Sequence, residues 1–241
     1  MNKFLIALRY LGIALVGAVL VISTSYAESS VYYGIKLDEL EYRFGDTGDE
    51  FTTWDSDVFV GTDELKIRWL SEGEYNTDVS SFETLENRLV LQKPISDFFD
   101  LHAGVRIDTP KGPDRWYGVI GVSGLAPQWI DVDSNFFLSE KGDASLRLDA
   151  EYELLITNQL ILTPSMEINY VFSEDTEIAS GTGFNDAEIG IRLSYDILDR
   201  TLSPYIGTSY EQKFGDTADF AREDGEDTQG WSLVVGTKFL F

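Results

Sequence analysis

Three stretches of this chain alternate between apolar and polar side chains for eleven residues or more, and that period constrains the fold more than any other feature. In ASLRLDAEYEL, Leu146, Leu148, Ala150, Tyr152 and Leu154 share one face, while Ser145, Arg147, Asp149, Glu151 and Glu153 share the other. LILTPSMEINYVF sets Leu160, Leu162, Pro164, Met166, Ile168, Tyr170 and Phe172 against Ile161, Thr163, Ser165, Glu167, Asn169 and Val171, and DAEIGIRLSYD repeats the pattern. A period of two is the mark of a strand with two unlike faces. Strands of soluble sheets have a mode near 5–6 residues, whereas a strand that crosses a bilayer needs about 9–11. The length therefore favours a barrel that turns its apolar face to lipid and its charged face to a lumen.

The spacing predicts strands near 35–44, 53–60, 64–75, 79–92, 97–108, 114–124, 128–139, 143–156, 160–173, 184–197, 202–215 and 229–241. The expected fold is an all-β transmembrane antiparallel up-and-down barrel of about 12 strands in a single domain. Weak patterning in the second and sixth strands leaves ten or fourteen open. Every second connection is tight (GTDE, KPISD, GLAPQ, TNQ, LDRT), and the others read as longer and polar, which is the outer-membrane arrangement with long loops outside. The longest, DTADFAREDGEDTQG, holds six acids and Arg222 and reads as a solvated, flexible loop. The last strand, GWSLVVGTKFLF, puts Trp231, Leu233, Val235, Thr237 and Phe239 on the lipid side. Its terminal Phe241 resembles the C-terminal signal by which outer-membrane proteins reach their assembly machinery.

The N-terminal MNKFLIALRYLGIALVGAVLVISTSYA joins Lys3 and Arg9, an apolar run from Leu11 to Ile22 and a small-x-small end at Ser25-Tyr26-Ala27. This is the layout of a signal peptide over 1–27, which leaves 28–241 for the barrel. The chain has no Cys, so neither a disulfide framework nor thiolate chemistry is available. A formal charge of −24 argues against nucleic acid as a partner, since surfaces that bind it are basic.

On the same alternation the lumen carries Glu39, Glu41, Arg43, Asp55, Asp57, Lys66, Arg68, Glu72, Glu74, Glu86 and Arg88. It continues with Arg106, Arg115, Asp131, Asp133, Arg147, Asp149, Glu151, Glu153, Glu167, Asp186, Glu188, Arg192 and Glu211. Paired networks that fill the interior are the first expectation for these charges. The single histidine, His102, falls on the lumen side near the periplasmic rim, away from the bilayer where a lipid hydrolase would work. No Ser/His/acid set can be assembled by spacing, and an enzyme is not expected.

The segments LDELEYRFGD, WDSDVFVGTDELKIRWLSEGE, DLHAGVRIDTPKGPDRWYGVIGVSGLAP and SPYIGTSYEQKFGDTA resemble the copper resistance protein B family of outer-membrane proteins. So does WIDVDSNFFLSEKGDASLRLDAEYELLITNQLIL, and the resemblance runs in order over nearly all of the chain after residue 27. It implies copper binding or handling at the outer membrane of a Gram-negative bacterium, beside a periplasmic multicopper oxidase and embedded in outer-membrane lipid. Two departures stand out. The family's Met- and His-rich N-terminal extension is not matched by ESSVYYGIKLDELEYRFGD, and Ile107 stands before Asp108 where many members have a histidine. Cu(I) wants sulfur, whereas Cu(II) accepts imidazole and oxygen donors. The candidate ligands for a copper ion, Cu(II) by this chemistry, are therefore His102, the pair Glu39/Glu41 and the pair Asp131/Asp133. A narrow cation-preferring diffusion channel is the alternative function.

Overall fold

The computed structural model describes residues 30–109, 112–197 and 200–241, so the expected signal peptide lies outside the described residues. Residues Val31–Phe241 form one compact unit. Its strands are β1 (Tyr32–Gly45), β2 (Glu50–Gly61), β3 (Lys66–Asn76), β4 (Ser81–Pro94), β5 (Phe99–Thr109), β6 (Arg115–Ala126) and β7 (Ile130–Ser139). They continue as β8 (Ala144–Tyr152), β9 (Leu154–Leu155), β10 (Leu160–Val171), β11 (Gly183–Tyr195), β12 (Leu202–Lys213) and β13 (Gln229–Leu240). The two-residue β9 continues β8 beyond Glu153, and both pair with β10, so thirteen stretches make twelve staves. Each stave is antiparallel to its neighbours, and β1 pairs with β13 to close the sheet into a barrel. At that seam Ile35 and Phe241 exchange both backbone hydrogen bonds at 2.9 Å.

Closure removes every open sheet edge, which is what allows strands to lie in hydrocarbon. The outer surface carries Leu89, Leu91, Val105, Ile120, Leu138, Ile189, Ile191, Ile206, Leu233 and Val235, all exposed. Trp231, Leu233, Val235 and Phe239 are exposed on one side of β13, as the alternation predicts, and Met166 also faces outward. Aromatic pairs gather near the rim opposite the chain termini: Tyr42–Phe44, Tyr75–Phe82, Tyr170–Phe172 and Tyr210–Trp231. Tyr33, Phe98, Trp129 and Phe241 are exposed at the other rim. Two such girdles flanking an apolar band are the pattern of an outer-membrane barrel.

The connections differ in part from the expectation. The segment after β1 is only Asp46–Asp49, because β2 begins earlier than its hydrophobic pattern suggests. The turns after β3 and β7 are equally tight, so only two connections at that rim are long: 172–182, and 214–228. The second of these is no flexible loop. It folds as the helix α1 (Gly215–Asp224), with Asp216 in its first turn, Arg222 in its last and Gly225 in the left-handed conformation that ends it. Thr217, Ala218 and Ala221 form its buried side.

Candidate functional site

The lumen encloses a cavity of about 1220 Å³, lined from Asp100 and Gly124 near the tight-turn rim to Glu226 and Trp231 at the other. Two networks of arginine and carboxylate narrow it. In the first, Arg192 donates from Nε to Glu41 Oε1 at 2.5 Å and sets Nη2 2.8 Å from Glu39. Tyr205 donates to the same Glu41 oxygen at 3.0 Å, and Arg43 donates to Glu41 Oε2 at 2.8 Å and to Glu188 at 2.9 Å. The Glu41 side chain is fully buried. A carboxylate so placed is stable only because two guanidinium groups and a hydroxyl replace its water.

The second network crosses the lumen. Arg147 on β8 donates to Glu72 on β3 at 3.0 Å and to Glu86 on β4 at 3.1 Å, although these strands share no ladder. Arg88 bonds Glu72, and Arg106 holds Glu86 at 2.8 Å and Asp108 at 2.7 Å. The Arg106 guanidinium also lies 4.4 Å above the ring of Phe137, one of the most buried side chains in the protein. Here the expected paired networks are present.

Register reveals an order that parity alone does not. Glu39, Asp55, Glu72, Glu86 and Asp108 are successive partners across β1 to β5, one rung of five carboxylates. Asp133, Asp149, Glu167, Glu188 and Glu211 form a second rung across β7, β8, β10, β11 and β12. Every member of both rungs lines the cavity. Of the acidic and basic side chains expected in the lumen, Glu41, Lys66 and Glu153 do not line it: Glu41 is buried behind its arginines. Glu153 falls at the break between β8 and β9 and pairs at the rim with Arg200 at 3.3 Å.

The candidate metal ligands fall into separate places. His102 is buried beneath Gly121, whose missing side chain leaves its room: a Cβ there would lie 2.3 Å from His102 Nε2. That nitrogen is 2.7 Å from Asn135 Oδ1 and 3.9 Å from Asp133 Oδ1, while Nδ1 has no hydrogen-bond partner among the described residues. Asn135 in turn donates to Asp133 at 2.8 Å. So His102 points inward but is walled off from the cavity that Asp133 and Asp131 line. Glu39 and Glu41 are held by arginine in the first network. Among the described residues no group of three or more His, Cys, Asp or Glu side chains is placed to hold a metal ion. Sequence reasoning passed over Asn135 and Tyr205, neutral residues on the inward parity whose parts emerge only from their neighbours.

The outer end is partly covered. Ile178, Ala179 and Ser180 of the long connection, with Thr217 and Ala221 of α1, line the cavity there. Arg115 clasps that connection at Asp175, 2.8 Å, and at Glu177, 3.2 Å, and Lys141 bonds Glu177 as well. On its far side Gly181 donates to the Thr217 hydroxyl at 2.9 Å. Hydrogen bonds from Lys141 and then Arg115 hold the Glu177 carboxyl below its ordinary value of 4.5. The clasp is therefore whole above the ordinary value and is lost as pH falls through the lowered one. A nitroxide at Glu174→Cys is expected to keep constant mobility through neutral pH and loosen only in strong acid. Loosening already at neutral pH would count against the clasp.

A family model described as copper resistance protein B precursor (CopB) matches residues 31–241. Copper resistance protein B of Escherichia coli is 35% identical over 214 residues, which cover 89% of this chain and 71% of that protein. The copper resistance protein B homolog of Pseudomonas syringae pv. tomato is 34% identical over 214 residues, again 89% and 71%. Among solved structures, the NanC porin superposes with a TM-score of 0.54 at 14% identity, covering 86% of this chain and 99% of that chain. At that identity the likeness is one of fold.

Proposed function

The chain belongs to the copper resistance protein B family, as an outer-membrane β-barrel, and from that premise we propose that it takes copper ions as cargo within its lumen. The observation that carries this reading is the cavity itself: one water-accessible space, reaching towards both rims and lined by two rungs of carboxylates. Cu(II) accepts imidazole and oxygen donors, so the donors at hand are Asp131 and Asp133 on the cavity wall, with His102, 3.9 Å from Asp133, joining them once Asn135 moves aside. Glu39 and Glu41 would have to shed arginine first, which makes them poor ligands at rest. A resident, tightly held copper does not fit these residues, whereas a cargo ion held weakly does. No catalysis is part of the proposal. A periplasmic multicopper oxidase is the partner that the family suggests, meeting the barrel at its tight-turn rim, the periplasmic one by the barrel rule.

Titration of the detergent-solubilised barrel with Cu(II), read by electron paramagnetic resonance, tests the binding element. The expected result is a weak saturable site with nitrogen hyperfine structure, displaced by Zn(II) and absent in His102→Ala. A non-saturating carboxylate spectrum, unchanged by the substitution, would remove His102 from the reading. A second reading, a narrow cation-preferring diffusion channel, is favoured by the same cavity and needs no bound copper at all.

A further inference from the structure

We propose that an acyl chain of a periplasmic-leaflet phospholipid seats in a groove on the outer wall, where Pro164 interrupts the ladder between β8 and β10. Ser165 pairs with Glu151 and Leu162 with Leu154, but the two rungs between them are missing from the ladder among the described residues. The cause is local. Phe172 donates to the Ala144 carbonyl at 2.8 Å and Ile156 to the Leu160 carbonyl at 2.9 Å, so the even-numbered residues of β10 exchange backbone hydrogen bonds with β8 and β9. By that register Pro164 stands opposite Tyr152 and has no N–H to give its carbonyl. Within sheets proline is otherwise kept to edges, strand starts and bulges, because the lost bond weakens the ladder. In hydrocarbon the loss is larger, since no water replaces the missing donor.

A groove of about 380 Å³ lies at this interruption. Ile130, Ala150, Tyr152, Pro164 and Met166 line it, all on the outward parity, and the small Ala150 leaves room among its larger neighbours. The two polar residues of β8 and β10 in its wall commit their side chains inward. Glu151 lies 3.7 Å from Lys238 on β13, across the lumen, and the Ser165 hydroxyl accepts from Arg192 at 3.0 Å. Ala150, Glu151, Ser165 and Met166 also line the lumen cavity, so the two spaces meet the same two rungs from opposite sides. The wall between them is there no thicker than those rungs.

Position decides what fills the groove. It opens on the outward apolar band and begins at the tight-turn rim, because Tyr152 pairs with Ile130, the first residue of β7. What reaches it is therefore hydrocarbon of the periplasmic leaflet, and a hollow left empty would forfeit the dispersion contacts of its lining. With no charged side chain turned outward from β8 or β10 there, the groove suits a chain and not a headgroup. Gln128 in the turn below lines it and, like Trp129, is left-handed, at φ 67° and 65° respectively. Those angles suit glycine or asparagine, and other residues held there gather at ligand clamps. The exposed Trp129 stands where aromatic rings meet lipid headgroups. A seated chain seals a thin seam, short of one donor, between hydrocarbon and a charged lumen. This holds whether or not copper enters the barrel.

The test is native mass spectrometry of the detergent-purified barrel titrated with palmitoyl-oleoyl phosphatidylethanolamine. Wild type is expected to retain one lipid at detergent concentrations that strip the rest. Palmitate should displace it, and glycerophosphoethanolamine, the headgroup without chains, should not. Ala150→Phe fills the groove from an outward position, and Pro164→Val returns the missing donor and closes the seam. Each is expected to weaken retention about tenfold, the effect of denying about two methylene groups their burial. Heat-modified gel mobility reports folding, and Pro164→Val, which adds a hydrogen bond, should fold even if Ala150→Phe does not. Ala103→Phe makes the same change at an exposed site on β5 and should leave retention at the wild-type level. Equal weakening by all three variants, or displacement by the headgroup alone, would overturn the acyl site. So would a wild-type barrel that retains no lipid, or one that runs as a dimer in place of the lipid adduct.

Discussion

Arg192→Met is expected to destabilise the barrel by about 3–5 kcal/mol, the usual cost of stripping one partner from a buried ion pair. The residue is 4% exposed and holds two carboxylates at once, Glu41 at 2.5 Å and Glu39 at 2.8 Å. Its loss leaves Glu41 with Arg43, the Tyr205 hydroxyl and a longer contact to Thr53, its side chain having no exposed surface. It also leaves Arg43–Glu188 as the ion pair joining β11 to β1, strands linked through the lumen and not by a shared ladder. Urea unfolding in lipid vesicles, followed by tryptophan fluorescence, measures the effect. Pairing the change with Glu41→Gln should recover part of the loss, because no uncompensated charge then remains. A single variant as stable as wild type would mean that water reaches Glu41 and that the network contributes little.

Much of the fold was open to reading because one physical rule dominates each strand. A side chain in a membrane barrel faces either lipid or lumen, so β8, β10 and β11 announce themselves by alternation, and β13 does so with its outward Trp231, Leu233 and Val235. Where that rule weakens, the reading did too. Tyr32–Gly45 contains a bulge between Leu37 and Glu39, so Lys36, Asp38 and Glu39 all line the cavity and simple parity fails within one strand. Helix α1 was misread because its six nearby acids suggest solvation. Its stability comes from tertiary contact with no local signal: the Thr217 hydroxyl accepts from Gly181 and bonds Asn185 of β11, and Ala218 and Ala221 are buried.

The site was legible residue by residue but not as an arrangement. Alternation puts Asp133, Asp149, Glu167, Glu188 and Glu211 on the inner face, yet nothing in a single strand says that they stand opposite one another. Register does, and register is fixed by turns and closure. The same holds for His102. Its inward parity is evident, but its screening from the cavity depends on Asn135 one strand beyond Gly121, with the glycine giving the room between them.

Arg147→Met should show most directly how far these networks narrow the passage. The guanidinium spans the lumen to Glu72 and Glu86, meets Asn169 at 3.2 Å and lies 5.7 Å over the Phe137 ring. Methionine keeps much of the apolar stem over Phe137 but withdraws the cross-lumen arm. Two effects are expected together: destabilisation of about 3 kcal/mol, at the low end because Arg88 and Arg106 still serve the same carboxylates, and a rise in single-channel conductance. Adding Glu72→Gln should recover part of the stability without restoring the constriction, since it removes one of the two charges that Arg147 served and leaves the gap. That divergence separates the two roles. If conductance and stability returned together in the double variant, the arm would be a brace for the wall, and the narrowing of the cavity would have to come from the first network alone.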